Sequence, residues 1–338
     1  MRSSEKGASV EVLRGGFVES VHRVSVAVVD PAGHLRAYAG IPDMVVFARS
    51  AVKPVQAVPI VADGVAERFG WGDAELALAC ASHSGEPRHV EVARGMLASL
   101  GLGEEALACG AHAPFNAAAA RDLSDRGETP TRLHNNCSGK HAAMLGLAAA
   151  HGWPLRGYHE AEHPVQQRML EAISHWSSVS TDRIDIAVDG CGVATFALPL
   201  NALALTFARL AVTTRSPESP AARLIHAMQT FPELVGGTDR LCTELMRTTR
   251  GRIFAKVGAE GIYCAGVPGA EIGVALKVED GAKRAAEPAL IEVLRLLGLL
   301  TEEDMGDLDR YAGPDVKNTR GEIVGSLRSR IALETGHG

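Results

Sequence analysis

A serine and a lysine stand three positions apart in the segment FARSAVKPVQA, residues 47–57. Residues at this spacing lie on one face of a helix, so the Ser50 hydroxyl and the Lys53 amine can come within hydrogen-bonding reach. A lysine removed from water can lose its proton and act as a base toward a serine. Pro54 disfavours helical geometry at Lys53, so any regular helix must begin close to Ser50. The spacing indicates a serine–lysine pair for nucleophilic catalysis; the alternative is a solvated lysine beside a capping serine.

Two later segments extend this pattern. CASHSGE places Ser82 and Ser84 after a short Ala-rich helix, in a loop that we expect to expose hydroxyls, and FAKVGAEG places Lys256 and Gly258 on a strand. Residues two apart on a strand face the same side, and the glycine would leave room for a substrate. The order S-x-x-K, serine loop and K-x-G is that of serine β-lactamases and penicillin-binding proteins. Here the last two motifs read S-H-S and K-V-G in place of S-D-N and K-T-G.

Alternating strands at both ends of the chain must position these groups. Residues 8–40 predict an antiparallel hairpin that turns at Asp30-Pro31-Ala32-Gly33, and residues 251–283 predict three more strands. The middle of the chain is helical by its periodicity, for example at 90–101, at 288–298 and from an N-cap at Thr238. We therefore predict an α/β (α+β) fold, with an antiparallel sheet from roughly 8–45 and 250–335 and an inserted helical lobe from roughly 50–250.

The composition is that of an ordinary globular protein. Hydrophobic residues make up 46% and charged residues 22% of the 338 residues, with a net charge of −6. The charges are well mixed, which argues against a nucleic-acid partner. The apolar stretch at 142–150 is too short to span a bilayer, and no apolar signal segment opens the chain. Six scattered cysteines are not a disulfide framework, so we expect a cytoplasmic protein with free thiols.

The segments LHNNCSGKHAAMLGLA (133–148) and AVDGCGVATFALPL (187–200) resemble the rhizobial-type L-asparaginases, which are unrelated to the common bacterial type. ARSAVKP, CASHSGE, AKVGAEG and NTRGEIVG (318–325) share the resemblance, which covers nearly the whole chain. It implies a single asparaginase domain over 1–338 with a serine β-lactamase-like fold. The implied site residues are two serine–lysine pairs and three zinc ligands: Ser50 with Lys53, Ser82 with Lys256, and Cys137, Lys140 and Cys191 on the metal.

The residues themselves are compatible with the zinc site that the resemblance implies. Cys137 and Lys140 are spaced i, i+3, and Cys191 lies in a glycine-flanked turn that could approach them. Two thiolates and one nitrogen leave a tetrahedral zinc one open position. Lysine is an uncommon ligand because it must first lose its proton. The plainer alternative is a pair of small buried thiols.

The segment HEAEH, residues 159–163, matches the H-E-x-x-H zinc motif, but we reject it as a metal site. That motif needs both histidines on one continuous helix. Pro164 follows directly and pushes His163 out of helical geometry. We expect a helix to begin at Pro164 instead, with the proline at its first position.

The resemblance implies an L-asparaginase that converts L-asparagine to L-aspartate and ammonia by serine–lysine acyl transfer. The sequence does not decide which serine carries the acyl group; the short spacing to Lys53 favours Ser50. By resemblance, three residues border the substrate: Arg49 for the carboxylate, Asp189 for the ammonium and His141 for either end. We further expect one zinc ion per chain and a homodimer.

Two other functions stay open. One is a β-lactamase or peptidase of the same fold, against which the missing export signal argues. The other is a non-catalytic zinc-binding protein that kept the fold.

Overall fold

Strands from both ends of the chain pair in one antiparallel sheet, in a computed structural model that describes residues 8–336. The strands are β1 (Ser9–Arg14), β2 (Phe17–Val29), β3 (Leu35–Ala39), β4 (Val45–Phe47), β5 (Ile186–Val188), β6 (Ala194–Pro199), β7 (Phe254–Val257), β8 (Ile262–Val267), β9 (Ile272–Val278), β10 (Asp315–Lys317), β11 (Ile323–Arg330) and β12 (Glu334–Thr335). The sheet has the order β10-β11-β1-β2-β9-β8-β7, and β3 pairs with β2 and β12. The predicted fold class is confirmed.

Helices fill most of the chain between these strands. They are α1 (Lys53–Ala62), α2 (Val65–Phe69), α3 (Asp73–Ala79), α4 (Pro87–Ser99), α5 (Ala117–Asp125), α6 (Ser138–His151), α7 (Pro164–Ser177), α8 (Leu200–Thr213), α9 (Pro220–Thr230), α10 (Pro232–Val235), α11 (Leu241–Thr248), α12 (Lys283–Leu296), α13 (Glu302–Asp307) and α14 (Asp309–Ala312). None of the helices within residues 8–336 is both long and apolar enough to cross a bilayer.

The chain divides into two units. The first contains the described residues up to Ala51, Leu198–Val212 and the described residues from Glu244 onward; the second contains Val52–Ala197 and Thr213–Thr243. The sheet belongs to the first unit, and most of the helices between α1 and α10 belong to the second. The single domain over 1–338 stays a prediction.

In the first unit, the apolar residues of each strand match the faces of the sheet that are buried at that strand. Val10 and Val12 of β1, which pairs with β11 and β2, are buried on one face, whereas residues 24–29 of β2 are buried on both faces. The turn after β2 is fixed by Asp30, whose carboxylate accepts the N–H groups of Ala32 and His34. This is the hairpin predicted from the sequence.

In the second unit, helix α6 is central. Its residues from Ser138 to Ala148 are all buried, and α1, α3, α4 and α7 pack around it. Glycine allows the closest approach, because a Cβ at Gly139 would collide with the carbonyl and side chain of Leu78 in α3. The small residues of α6 therefore bring its first turn against the end of α3.

Two details differ from the sequence-based expectations. The helix expected to begin with Thr238 as N-cap begins at Leu241, because the next residue, Asp239, has a left-handed φ of +58°. Thr238 instead donates its N–H and its hydroxyl to Glu86, at 2.7 Å and 3.0 Å. The hairpin of β5 and β6, which pairs Ala187 with Thr195, lies in a segment whose strands we did not predict.

Candidate active site

Lys53, the first residue of α1, has its side chain completely buried in the second unit. Its Nζ lies 2.5 Å from the Ala81 carbonyl oxygen, 2.9 Å from Ser82 Oγ and 3.1 Å from Cys137 Sγ. A buried amine needs such partners because loss of water is costly. Lys53 thus joins the serine loop to the cysteine segment. The sequence did not reveal the contact with Ser82, because the two residues are 29 positions apart.

The serine loop, residues 81–86, connects α3 to α4. We expected it to expose its hydroxyls, but Ser82 and Ser84 are only 5% and 2% exposed. The Ser82 N–H donates to the Val235 carbonyl at 3.0 Å, and Ser84 Oγ donates to the Gly236 carbonyl at 3.0 Å. The segment around α10 therefore covers the loop and holds Ser82 in a fixed position.

The three predicted metal ligands lie in one buried cluster. Cys137 is the N-cap of α6, Lys140 lies one turn further on, and Cys191 lies in the turn between β5 and β6. Lys140 Nζ is 3.4 Å from Cys191 Sγ, and a hydrogen bond links the two thiols. Their exposures are 3% for Cys137, 4% for Lys140 and 6% for Cys191. The structure thus brings together residues that are 51 positions apart in the sequence.

The charges in this cluster depend on each other. The hydrogen bond from Cys137 lowers the pKa of the Cys191 thiol, although burial opposes this shift. The same hydrogen bond, together with burial, raises the pKa of Cys137. Burial alone would lower the pKa of Lys140, but the neighbouring Cys191 and Cys137 raise it. The cluster therefore favours a thiolate at Cys191 paired with a lysine ammonium.

Asp189 and His141 flank this cluster. Asp189 is half-buried in the β5–β6 turn, with its Oδ2 4.0 Å from Cys191 Sγ and its Oδ1 accepting the Gly190 N–H at 2.7 Å. His141 follows Lys140 on α6 and is fully buried, and burial and the Lys140 charge lower its pKa to about 3. Its Nδ1 contacts the hydroxyl of Tyr158 at 2.6 Å. Tyr158 carries no motif, and sequence reasoning missed it.

The remaining predicted site residues belong to the first unit. Ser50 is 9% exposed within the 3-10 helix Arg49–Val52, and Arg49 is half-buried with a φ of +49°. Lys256 is fully buried on β7, and its Nζ donates to the Val257 carbonyl at 2.9 Å. The pairings of Ser50 with Lys53 and of Lys256 with Ser82 stay predictions.

Gly258 does not leave room for a substrate in the way we expected. A Cβ built at this position would lie 2.8 Å from the Cβ of Ile262 and 3.1 Å from the Ala48 carbonyl oxygen. The space beside the glycine is therefore filled by residues of its own unit. Glycine at this position serves the close packing at the end of β7.

The structure also bears on the two metal hypotheses. HEAEH does not form a helix: α7 begins at Pro164, and His163 is its N-cap, with Nδ1 accepting the Val165 N–H at 3.2 Å. Across residues 8–336, no group of three or more His, Cys, Asp and Glu side chains is arranged to hold a metal ion. The expected ligand set contains a lysine and only two such residues, so that observation leaves it a prediction.

Comparisons with known proteins add a family. The family described as L-asparaginase II matches residues 10–329. No curated protein matches the chain. Among solved structures, Mglu in its native form shares 14% identity at a TM-score of 0.44, over 84% of this chain and 66% of that chain.

A second structure of Mglu, in the presence of 4.3 M NaCl, shares 16% identity at a TM-score of 0.42, over 84% of this chain and 63% of that chain. This chain thus spans less than two thirds of the length of Mglu. A β-lactamase from Mycobacterium bovis shares 17% identity at a TM-score of 0.42, over 82% of this chain and 95% of that chain. The match to the family covers almost every described element, from β1 to β11. The chain belongs to the L-asparaginase II family.

Proposed function

We propose that the protein hydrolyses the side-chain amide of L-asparagine to L-aspartate and ammonia by acyl transfer to a serine, with Lys53 as the base. The observation that supports this proposal is the 2.9 Å contact between Lys53 Nζ and Ser82 Oγ in a buried site. A serine hydroxyl is a weak nucleophile until a neighbouring base takes its proton. A buried amine at hydrogen-bonding distance is such a base.

The three partners of Lys53 explain how its amine would be oriented. A neutral amine keeps two N–H donors and gains one lone pair. The Ala81 carbonyl oxygen and Cys137 Sγ can accept the two N–H groups. The lone pair then faces the third partner, the Ser82 hydroxyl. Lys53 can therefore accept the serine proton without a change of rotamer.

The reaction would proceed in two steps, acylation of the serine and hydrolysis of the ester. Ser82 Oγ attacks the carboxamide carbon while Lys53 takes the hydroxyl proton, and the carbon–nitrogen bond then breaks as that proton passes to the amide nitrogen, which leaves as ammonia. Water next attacks the aspartyl ester, giving its proton to the neutral Lys53. The ester bond breaks, the proton returns to Ser82 Oγ, and L-aspartate leaves.

Ser50 is the second candidate for the nucleophile, because a serine and a lysine spaced i, i+3 in the sequence can share one face of a helix. In that assignment Ser82 and Lys256 would form the second pair and protonate the leaving group or activate water. We propose Ser82 because its Oγ lies 2.9 Å from Lys53 Nζ. Removal of each serine in turn separates the two assignments.

The cluster of Cys137, Lys140 and Cys191 fits a zinc ion by its donor chemistry, since two thiols and an amine are buried within contact of each other. In our proposal these three residues hold one zinc ion per chain, which would supply Lewis-acid polarisation of the substrate. Lys140 must lose its proton to bind the metal, so metal uptake would release protons.

The substrate offers two charged groups to the site. We propose Arg49 for the α-carboxylate, which a guanidinium can bind with two hydrogen bonds, and Asp189 for the α-ammonium. The protein would act in the cytoplasm as a homodimer, with no nucleic-acid or membrane partner.

The test is ammonia release by the purified protein with L-asparagine, L-glutamine and short amides. We expect L-asparagine to be the best substrate. Faster hydrolysis of a chromogenic cephalosporin would favour the β-lactamase alternative. Zinc binding without any ammonia release would favour the non-catalytic alternative.

A further inference from the structure

His141 and Tyr158 form a buried hydrogen-bonded pair next to Lys140. His141 Nδ1 lies 2.6 Å from the Tyr158 hydroxyl oxygen, which also accepts the Ala108 N–H at 2.8 Å. The two rings meet edge to face, and their exposures are 0% for His141 and 1% for Tyr158. The second ring nitrogen of His141, Nε2, is buried and has no hydrogen-bond partner among residues 8–336.

The hydrogen atoms of this pair can be assigned from the available acceptors. Among the described residues, His141 Nδ1 is the one acceptor within reach of the Tyr158 hydroxyl hydrogen. If Nδ1 carried a hydrogen instead, both the hydroxyl hydrogen and the Nε2 lone pair would be buried without a partner. Each unpaired buried polar group is costly. When Tyr158 donates to Nδ1 and the ring hydrogen is on Nε2, only the Nε2–H is left without a partner. This is therefore the favoured arrangement.

This assignment of Nε2 as a donor does not depend on the charge of the ring. A neutral ring that accepts from Tyr158 carries its hydrogen on Nε2, and a protonated ring carries hydrogens on both nitrogens. Cys137, Lys140 and His141 stand at positions i, i+3 and i+4 and share one face at the start of α6. The unpaired N–H therefore belongs to the same side of the helix as the predicted metal ligands.

We propose that Tyr158 is a positioning residue that holds His141 as an Nε2–H donor, and that this N–H donates to an oxygen of the substrate. The inference rests on the proposed function, because asparagine offers oxygen acceptors in its carboxamide and its α-carboxylate. A donor cannot bind the α-ammonium. His141 therefore orients an oxygen-bearing end of the substrate, which the sequence left open.

The first test reads the tautomer directly and needs no substrate. Nitrogen-15 NMR of histidine-labelled wild-type protein distinguishes a ring with hydrogen on Nε2 from one with hydrogen on Nδ1, and His141→Gln identifies the signal. We expect the Nε2–H tautomer. Addition of L-aspartate, the proposed product, should shift the Nε2 signal. A ring with its hydrogen on Nδ1, or an Nε2 signal that saturating L-aspartate leaves unmoved, would overturn the proposal.

The second test is the variant Tyr158→Phe, which keeps the ring packing and removes the donor. We expect a mixture of His141 tautomers and a loss of about tenfold in kcat/KM for L-asparagine, the scale of one hydrogen bond. An effect on KM alone would place the hydrogen bond at the α-carboxylate, and an effect on kcat would place it at the carboxamide; both agree with the proposal. An unchanged tautomer and unchanged kinetics would contradict it.

Tyr311→Phe is the matched control, since it removes a buried hydroxyl that accepts from Arg310 in the first unit. It should leave kcat/KM unchanged. A loss of kcat/KM as large as that in Tyr158→Phe would show that Tyr158 has only a structural role. Should Tyr158→Phe not fold, the wild-type tautomer still decides the proposal. A wild type that releases no ammonia refutes the proposed function, whereas the wrong tautomer refutes the role of Tyr158.

Discussion

Replacing Lys53 with methionine tests whether its amine is the base of the reaction. Methionine is similar in length, so the chain stays packed while the contacts of Nζ with Ala81, Ser82 and Cys137 are lost. Without a base the serine keeps its proton. We expect kcat for L-asparagine to fall at least ~10³-fold, which corresponds to about 4 kcal/mol of lost transition-state stabilisation.

The same change has a smaller effect on stability. The Ala81 carbonyl oxygen loses its 2.5 Å partner, and an unpaired buried acceptor costs about 1–3 kcal/mol. Part of this cost is offset because the variant no longer takes an amine out of water. The free energy of unfolding of a typical protein is about 5–15 kcal/mol, so Lys53→Met should still fold. Denaturant unfolding of wild type and variant measures the difference.

Lys277→Met is the matched control for the loss of a lysine bonded to a carbonyl. Lys277 Nζ donates to the Glu260 carbonyl oxygen at 2.5 Å in the first unit, and the residue is half-buried. Its replacement should leave ammonia release close to that of the wild type. A folded Lys53→Met protein that keeps more than about a tenth of wild-type kcat would refute the role of Lys53 as base.

Three further predictions concern the nucleophile, the metal and stability. Ser82→Ala should lower ammonia release by at least ~10³-fold and Ser50→Ala by less, and the reverse order would assign the acyl group to Ser50. Elemental analysis should find about one zinc per chain in wild type and none in the Cys137→Ser, Cys191→Ser double variant; zinc in the double variant would contradict the ligand assignment. Asp304→Asn should lower the free energy of unfolding by about 1–3 kcal/mol at pH 7, because Asp304 binds Arg252 at 2.6 Å. Burial opposes the shift, but Arg252 holds the pKa of Asp304 below its usual value, so this difference should shrink as the pH falls below about 4 and a pH-independent difference would disprove it.

The sequence predicted the elements whose pattern is local. Alternation marks β1, where Val10 and Val12 are buried, and a proline marks the start of α7 at Pro164. Each signal lies within a few residues of the feature that it predicts. The start of α11 was misplaced because Asp239 has a left-handed φ of +58°, and Thr238 donates to Glu86, which lies 152 positions away. A capping pattern reveals neither that backbone conformation nor a partner from a distant loop.

The sequence predicted most residues of the candidate site, but few of the contacts between them. The motif of residues 137–141 and the turn at Cys191 supplied the residues that the structure gathers into one cluster. The contact of Lys53 with Ser82 depends on how α1 packs against α3, and no spacing in the sequence encodes it. Tyr158 was missed for the same reason, since it reaches His141 from a segment without a motif.

His83 shows why the serine loop had to be buried and not exposed as we expected. Its Nδ1 accepts the Gly85 N–H at 3.2 Å, and the proximity of Nε2 to Ser138 Oγ at 2.9 Å makes that nitrogen the donor. Only a neutral ring satisfies both bonds, since a hydrogen on Nδ1 would face the Gly85 N–H. Burial and the neighbouring His89 lower the pKa of His83 well below the usual histidine value. The ring therefore stays neutral through the physiological pH range and keeps the loop joined to the start of α6. An exposed His83 would lose the burial that keeps its ring neutral, and with it the hydrogen bonds to Gly85 and Ser138. Because these bonds hold the serine loop, the position of Ser82 beside Lys53 depends on the burial of the loop.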